Sequence, residues 1–372
     1  MLNTVKRTYK DRRVLITGHT GFKGSWLTTW LAAMGAQITG ISLDPDQGDD
    51  SIFMRANVSG LCKQDHRIDI CDEAAVREIL DDAQPEVVFH LAAQALVRSA
   101  YERPVETFRT NVLGTTHILE AARQTPSVAA TVCVTTDKVY ENKEWYWPYR
   151  ENDRLGGIDP YSASKSAAEM VALTYMTTLP APDNRVHNLA TARGGNVVGG
   201  GDWSIDRIVP DIVRSMRDQK LLNIRNPNAV RPWQHVLELC YGYLSLGNRL
   251  LNGWPDRQLA AKQYTGSWNF GPSTDNEITV AALISIMKDA WGSATLEVEH
   301  LPSALHESTY LRLDCSKANA ELGWQGLLGP EETFGWTVDW YRKFLNEPDT
   351  ARQITLDQIF AYEQLIEQQD KT

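Results

Sequence analysis

The sequence has no long apolar run, no block of basic residues and no cluster of cysteine with histidine, and each absence removes a class of function. No uninterrupted apolar stretch approaches the ~20 residues that span a bilayer as a helix, so no membrane association is expected. Lys and Arg number 37 against 47 Asp and Glu, a net charge of −10. The basic residues are scattered rather than massed, which argues against a nucleic-acid partner. An anionic ligand must then be met by locally placed Arg. The five cysteines are odd in number and contain no CxxC pair, and Cys133 and Cys240 sit in apolar surroundings, as in a reducing compartment. The eight histidines form no HExxH motif and join no cysteine cluster, so no metal site is expected. The opening "MLNTVKRTYKDRR" is polar and basic with no apolar segment behind it, which predicts a cytoplasmic protein without a signal peptide.

What is present is a regular alternation. Val14–Thr17 is a short β-rich run, followed by a glycine turn and then Trp26, Leu27, Trp30, Leu31 and Met34 at helical spacing. "QITGISLD" is a second strand, "HRIDI" a third, Glu73–Asp82 a helix, "EVVFHLA" a fourth strand, Val105–Gln124 a long helix, and Val132 opens another strand. Repeated βαβ units with continuously apolar strands predict an α/β fold, a doubly wound parallel sheet of Rossmann type. Past about residue 190 the regularity fades. We therefore expect a dinucleotide-binding domain over 1–190, including about 228–266, and a smaller, less regular substrate domain over 191–227 and 267–372. Phe334, Val338 and Tyr341 recur at helical spacing and read as core.

"TGHTGFKG" places Gly18, Gly21 and Gly24 between the first strand and the first helix. That spacing allows a tight turn, a close approach to a pyrophosphate, and a helix N-terminus aimed at negative charge. Asp44 follows the second strand at about the offset where an acid takes the ribose hydroxyls of NAD; it would repel the 2′-phosphate of NADP. Asp69 and Ile70, ending the third strand, are positioned to frame an adenine. His19 and Lys23 are bulky polar residues inside the turn, and the sequence does not say whether they help or hinder cofactor binding.

The apolar run Val132–Val134 stops at Thr135, Thr136, Asp137 and Lys138. In a parallel sheet, ligands lie beyond the carboxyl ends of the strands, so these polar groups are candidates to face a substrate. Downstream, "DPYSASK" has Asp159 as N-cap and Pro160 at the first helical position, which sets Tyr161 and Lys165 one turn apart on one face. A nearby cation and a helix N-terminus both favour a phenolate that could act as a base.

These motifs, with "HLAAQ", "RGGNVVGGGDW", "RPWQHV" and "LDCSKANAELGW" in the same order, resemble the extended short-chain dehydrogenase/reductase superfamily and, within it, the nucleotide-sugar 4,6-dehydratases. The resemblance covers about residues 12–343. It implies NAD as cofactor, held by the glycine turn with Phe22 and Lys23, by Asp44, Asp69 and Ile70, by Leu91, Ala92 and Ala93, by Asn111, and by Tyr161 and Lys165. It implies a nucleotide-sugar substrate whose diphosphate is met by Asn196, Arg207 and Arg231. Tyr161, aided by Thr136, would take the 4′-hydroxyl proton, and Asp137 would protonate the departing 6′-hydroxyl. In thymidine-linked relatives a Glu follows that Asp as the C5′ base; here Lys138 stands there, as in the CDP-linked branch. Lys138 admits two roles, a base when neutral or a cation stabilising the enolate. The resemblance also implies a homodimer or dimer of dimers formed through Val105–Gln124 and Tyr161–Thr178.

Two other readings share part of the pattern. A nucleotide-sugar 4-epimerase would keep the glycine turn and Tyr161/Lys165 but has no water to expel, so Asp137 and Lys138 speak against it. A non-catalytic NAD-sensing binding protein would not need both Tyr161 and Lys165.

Overall fold

The computed structural model describes residues 1–46, 48–182, 187–252, 263–272, 278–292, 296–300 and 310–370. Seven parallel strands form the central sheet: β1 (Arg13–Thr17), β2 (Gln37–Ser42), β3 (Gln64–Arg67), β4 (Val87–His90), β5 (Ala130–Val134), β6 (Asn188–Arg193) and β7 (Gly266–Asn269). Their spatial order is β7-β6-β5-β4-β1-β2-β3. The doubly wound parallel sheet expected from the alternation is thus present. The order reverses between β1 and β4, and a crevice for ligands opens at such a switch point. Among the described residues no helix is long and apolar enough to cross a membrane, and no group of three metal-ligating side chains forms.

Helices cover both faces: α1 (Leu2–Tyr9), α2 (Phe22–Ala33), α3 (Glu73–Ala83), α4 (Thr115–Gln124), α5 (Pro160–Thr177), α6 (Ile208–Asp218), α7 (Val236–Leu251), α8 (Val280–Trp291), α9 (Pro330–Asn346) and α10 (Ala351–Gln369). The last of them, α10, packs back onto the first part of the chain. Trp30 Nε1 and Lys6 Nζ both donate to Glu363 of α10, at 3.0 and 2.7 Å. Phe334, Val338 and Tyr341 are buried in the main core.

Two details differ from the sequence expectation. The third strand is Gln64–Arg67, so only part of "HRIDI" is strand and Asp69 and Ile70 lie beyond its end. As the sheet edge it pairs with β2 alone, and that ladder closes at Ser42 opposite Arg67. The helix expected over Val105–Gln124 contains a π-helical turn, Arg109–Gly114, preceding α4. The extra residue of a π turn rotates Asn111 inward. The sheet itself runs through Arg193 in β6 and Asn269 in β7, each strand ending where its pairing ends.

Candidate active site

At the switch point the glycine turn and the end of β4 are pressed together. Gly18 has φ +77°, and a methyl group there would stand 2.7 Å from Ala92 N, so only glycine permits the contact. Leu91 and Ala92 are thereby held over the turn. Above Gly21 the space is open: a methyl group would meet only Gly18 O, at 3.4 Å. No side chain among the described residues caps the N-terminus of α2. Unoccupied first-turn amides beside open space suit a pyrophosphate, so the turn fits a dinucleotide. Phe22 is buried and faces Gly199.

The bulky residues of the turn part company. His19 points away from the open side, its Nε2 2.8 Å from Asp65 Oδ1 beneath Gly40, and burial lowers its basicity. Lys23 points inward; burial first, then the charges of Arg207 and Lys165, bring its ammonium down to about 8. Asp44 lies two residues past β2 with an exposed carboxylate 3.8 Å from Arg67. Asp69 is exposed and caps Cys71 N at 2.9 Å, whereas Ile70 is buried against Gly114.

Asn111 is wholly committed to the protein. Its Oδ1 accepts from Gln94 N at 2.8 Å, and its Nδ2 donates to Gln94 O and Ser164 Oγ at 3.1 and 2.9 Å. It ties the segment after β4, which includes Ala93, to the helix that carries Tyr161.

The residues beyond β5 form one turn, Asp137–Val139. Thr136 Oγ1 accepts from Lys138 N at 3.4 Å and donates to Asp137 Oδ1 at 2.9 Å. Asp159 caps α5 by accepting from Tyr161 N and Ser162 N at 2.9 and 3.0 Å, which fixes where Tyr161 emerges. Burial pushes the Tyr161 phenol up to about 12, while a hydrogen bond with Thr136 and the charge of Arg207 pull it down. Lys138 Nζ lies 5.9 Å from the centre of the Tyr161 ring. Lys165 is buried and donates to Val134 O at 3.1 Å, so the lysine is moored to the last carbonyl of β5.

Tyr161, Thr136, Asp137, Lys138, Lys165, Lys23 and Arg207 are therefore one cluster. Arg207 precedes α6 and reaches Asp202 at 3.4 Å. Asn196 Nδ2 donates to Asp137 Oδ2 at 3.4 Å. Arg231 sits on the two-residue strand Val230–Arg231, paired with Ile278–Thr279, and donates to Val230 O at 3.0 Å.

Sequence reasoning missed Glu169, Arg193 and Gly195. Glu169 follows Lys165 by four residues and so shares its face of α5, a spacing that could have revealed it. Arg193 ends an otherwise uncharged strand. Gly195 left no signal, because its part is to have no side chain.

A doubly wound sheet, a glycine turn after β1, and a Tyr/Lys helix beside the end of β5 together define a protein of the extended short-chain dehydrogenase/reductase class. Within that class the chain belongs to the GDP-mannose 4,6-dehydratase family, whose model matches residues 15–334. It is 43% identical over 350 residues to CDP-glucose 4,6-dehydratase of Salmonella typhimurium, covering 92% of this chain and 94% of that one. It is 31% identical over 280 residues to dTDP-glucose 4,6-dehydratase of Streptomyces antibioticus, covering 74% and 75%. Among solved structures it resembles DesIV, a dTDP-glucose 4,6-dehydratase from Streptomyces venezuelae with NAD bound, at TM-score 0.73 and 23% identity over 91% of this chain and 99% of that one. A UDP-glucose 4-epimerase from Thermotoga maritima superposes equally well, at TM-score 0.73 and 22% identity, covering 89% and 99%; likeness at this level concerns the fold alone.

Proposed function

We propose that the protein is an NAD-dependent hydro-lyase, a CDP-glucose 4,6-dehydratase that converts CDP-D-glucose to CDP-4-dehydro-6-deoxy-D-glucose and water. The observation that carries this reading is the contact set of Tyr161, Thr136 and Asp137 at the end of β5, which joins a base for oxidation to an acid for elimination. The 43% identity to a CDP-glucose 4,6-dehydratase supports the same base and sugar.

NAD, held by the glycine turn and the residues over it, would accept the hydrogen of C4′ with its electron pair and give it back at C6′. Tyr161 takes the 4′-hydroxyl proton. Its phenol starts neutral, so ionisation depends on Thr136, on Arg207 and on positive charge brought by the ligand. Lys165, moored on Val134 O, holds the nicotinamide ribose in this reading and favours the phenolate. Once C4′ is a ketone the C5′ hydrogen is acidic. Asp137 supplies a proton to the 6′-hydroxyl as water departs, with Lys138 beside it serving C5′. Arg207 and Arg231 meet the diphosphate.

In the same reading, residues 1–190 with about 228–266 bind the cofactor, and 191–227 with 267–372 bind the nucleotide sugar. The protein works in the cytoplasm as a homodimer or dimer of dimers, and its product supplies deoxysugars of lipopolysaccharide O-antigen. Exposed Val105, Phe108, Leu113, Met170 and Leu173 along the two expected interface helices support the oligomer.

The test is incubation of purified protein and NAD with CDP-, dTDP-, UDP- and GDP-sugars in separate reactions, followed by mass spectrometry. Loss of one water from CDP-glucose alone is expected. Isomerised sugar with no water lost would replace the reading with an epimerase.

A further inference from the structure

The carboxyl group of Asp137 rests in a seat built by the segment that follows β6. Gly195 provides the space: a methyl group there would overlap Cγ and both oxygens of Asp137. Asn196 provides a donor, its Nδ2 3.4 Å from Oδ2. It is held in the left-handed region at φ 50°, and Gln234 N donates to its carbonyl at 3.2 Å. Opposite, Thr136 Oγ1 donates to Oδ1 at 2.9 Å. Each oxygen of Asp137 thus has a partner among the described residues, and Gly195 lies directly against the carboxyl group.

We propose that Gly195 and Asn196 are positioning residues that aim Asp137 at the leaving 6′-hydroxyl, and so govern elimination without governing oxidation at C4′. The inference rests on the reading of Asp137 as the acid of that step. In the step, the C5′ hydrogen leaves as a proton to a base of the site and its electron pair becomes the C5′–C6′ double bond. The C6′–O bond breaks, and the Asp137 proton departs with that oxygen as water. An acid turned away from C6′ leaves the 4′-ketone formed but not dehydrated.

Gly195 is a selective place to test this. Its backbone is outside the left-handed region, so alanine fits the chain there. The collision falls on the end of a side chain, so the carboxyl group is the part that yields. The experiment uses full-length protein with NAD and CDP-glucose in single turnover, reading C4′ oxidation by nicotinamide absorbance and dehydration by mass. Gly195→Ala is expected to slow dehydration on the order of 10²-fold or more, the scale of a lost general acid, with oxidation at the unaltered rate. Asn196→Ala, at saturating CDP-glucose, is expected to lower the ratio of dehydration to oxidation by about 10-fold whatever it does to substrate binding, and it carries the test if Gly195→Ala does not fold. Combined with Asp137→Asn, Gly195→Ala should add no further loss, since both act through one group. Equal loss of oxidation and dehydration in both variants, or multiplicative losses in the double variant, would overturn the seat. Normal dehydration by Asp137→Asn alone would instead remove the acid reading beneath it.

Discussion

Glu169 and Arg193 meet as a buried two-point ion pair, Oε1 to Nε at 3.0 Å and Oε2 to Nη2 at 2.8 Å. Thr135 Oγ1 donates to the same carboxylate at 2.5 Å, so the pair holds the first residue past β5. Burial alone would raise the Glu169 carboxyl, but Arg193 and the hydroxyls of Thr135 and Thr191 take it below its usual range. Removing one partner strands a buried charge, which costs roughly 3–5 kcal/mol. Glu169→Ala should therefore lose about that much stability in urea unfolding. A loss under ~1 kcal/mol would mean that water reaches Arg193 and that the pair does not brace the site.

Glu238 predicts a pH dependence of stability. Burial raises its carboxyl to about 7, against three donors: Leu327 N and Leu328 N on Oε1 and Tyr362 Oη on Oε2, each at 2.8 Å. The folded state binds the proton more tightly than the unfolded chain does. Its stabilising contribution is thus full below pH ~4.5, the unfolded value, and is lost as pH rises through about 7. Glu238→Gln should flatten this part of the curve of melting temperature against pH. An unchanged slope would assign the effect to other groups.

Lys138 is separated into base or cation by one variant. Lys138→Met keeps the length of the side chain without the amine. If the amine is the C5′ base, exchange of the C5′ hydrogen with deuterated solvent should fall by about 10²-fold or more. Exchange at the usual rate with slower dehydration would leave Lys138 the cation's role.

The exposed apolar residues of α5 test the oligomer. Met170 and Leu173 stand in solvent on the single chain, 63% and 54% exposed, on the helix that also carries Tyr161. Met170→Glu with Leu173→Glu should halve the mass in light scattering, because charges are not readily buried at an interface core. An unchanged mass would place the interface elsewhere.

The linear order of the chain carried much of the architecture. A strand, a glycine turn and an amphipathic helix are local, so "TGHTGFKG" could be placed without knowing what faces it. Helical periodicity put Tyr161 and Lys165 on one side of α5, and the abrupt end of Val132–Val134 located the polar turn. The short third strand and the π turn were not legible in this way. Both are set by partners, β2 in one case and the contacts of Asn111 with Gln94 and Ser164 in the other.

By itself, then, the sequence determined which residues lie at strand ends and which share a helix face, since these follow from periods of two and 3.6 residues. Tertiary structure alone decided what those side chains meet. It moored Lys165 on Val134 O, committed Asn111 to the protein, and brought Gly195 and Asn196, 58 and 59 positions after Asp137, around its carboxyl group. The physical reason is that an empty space and a hydrogen-bond partner are properties of a neighbourhood, and β5 and β6 become neighbours only when the sheet forms.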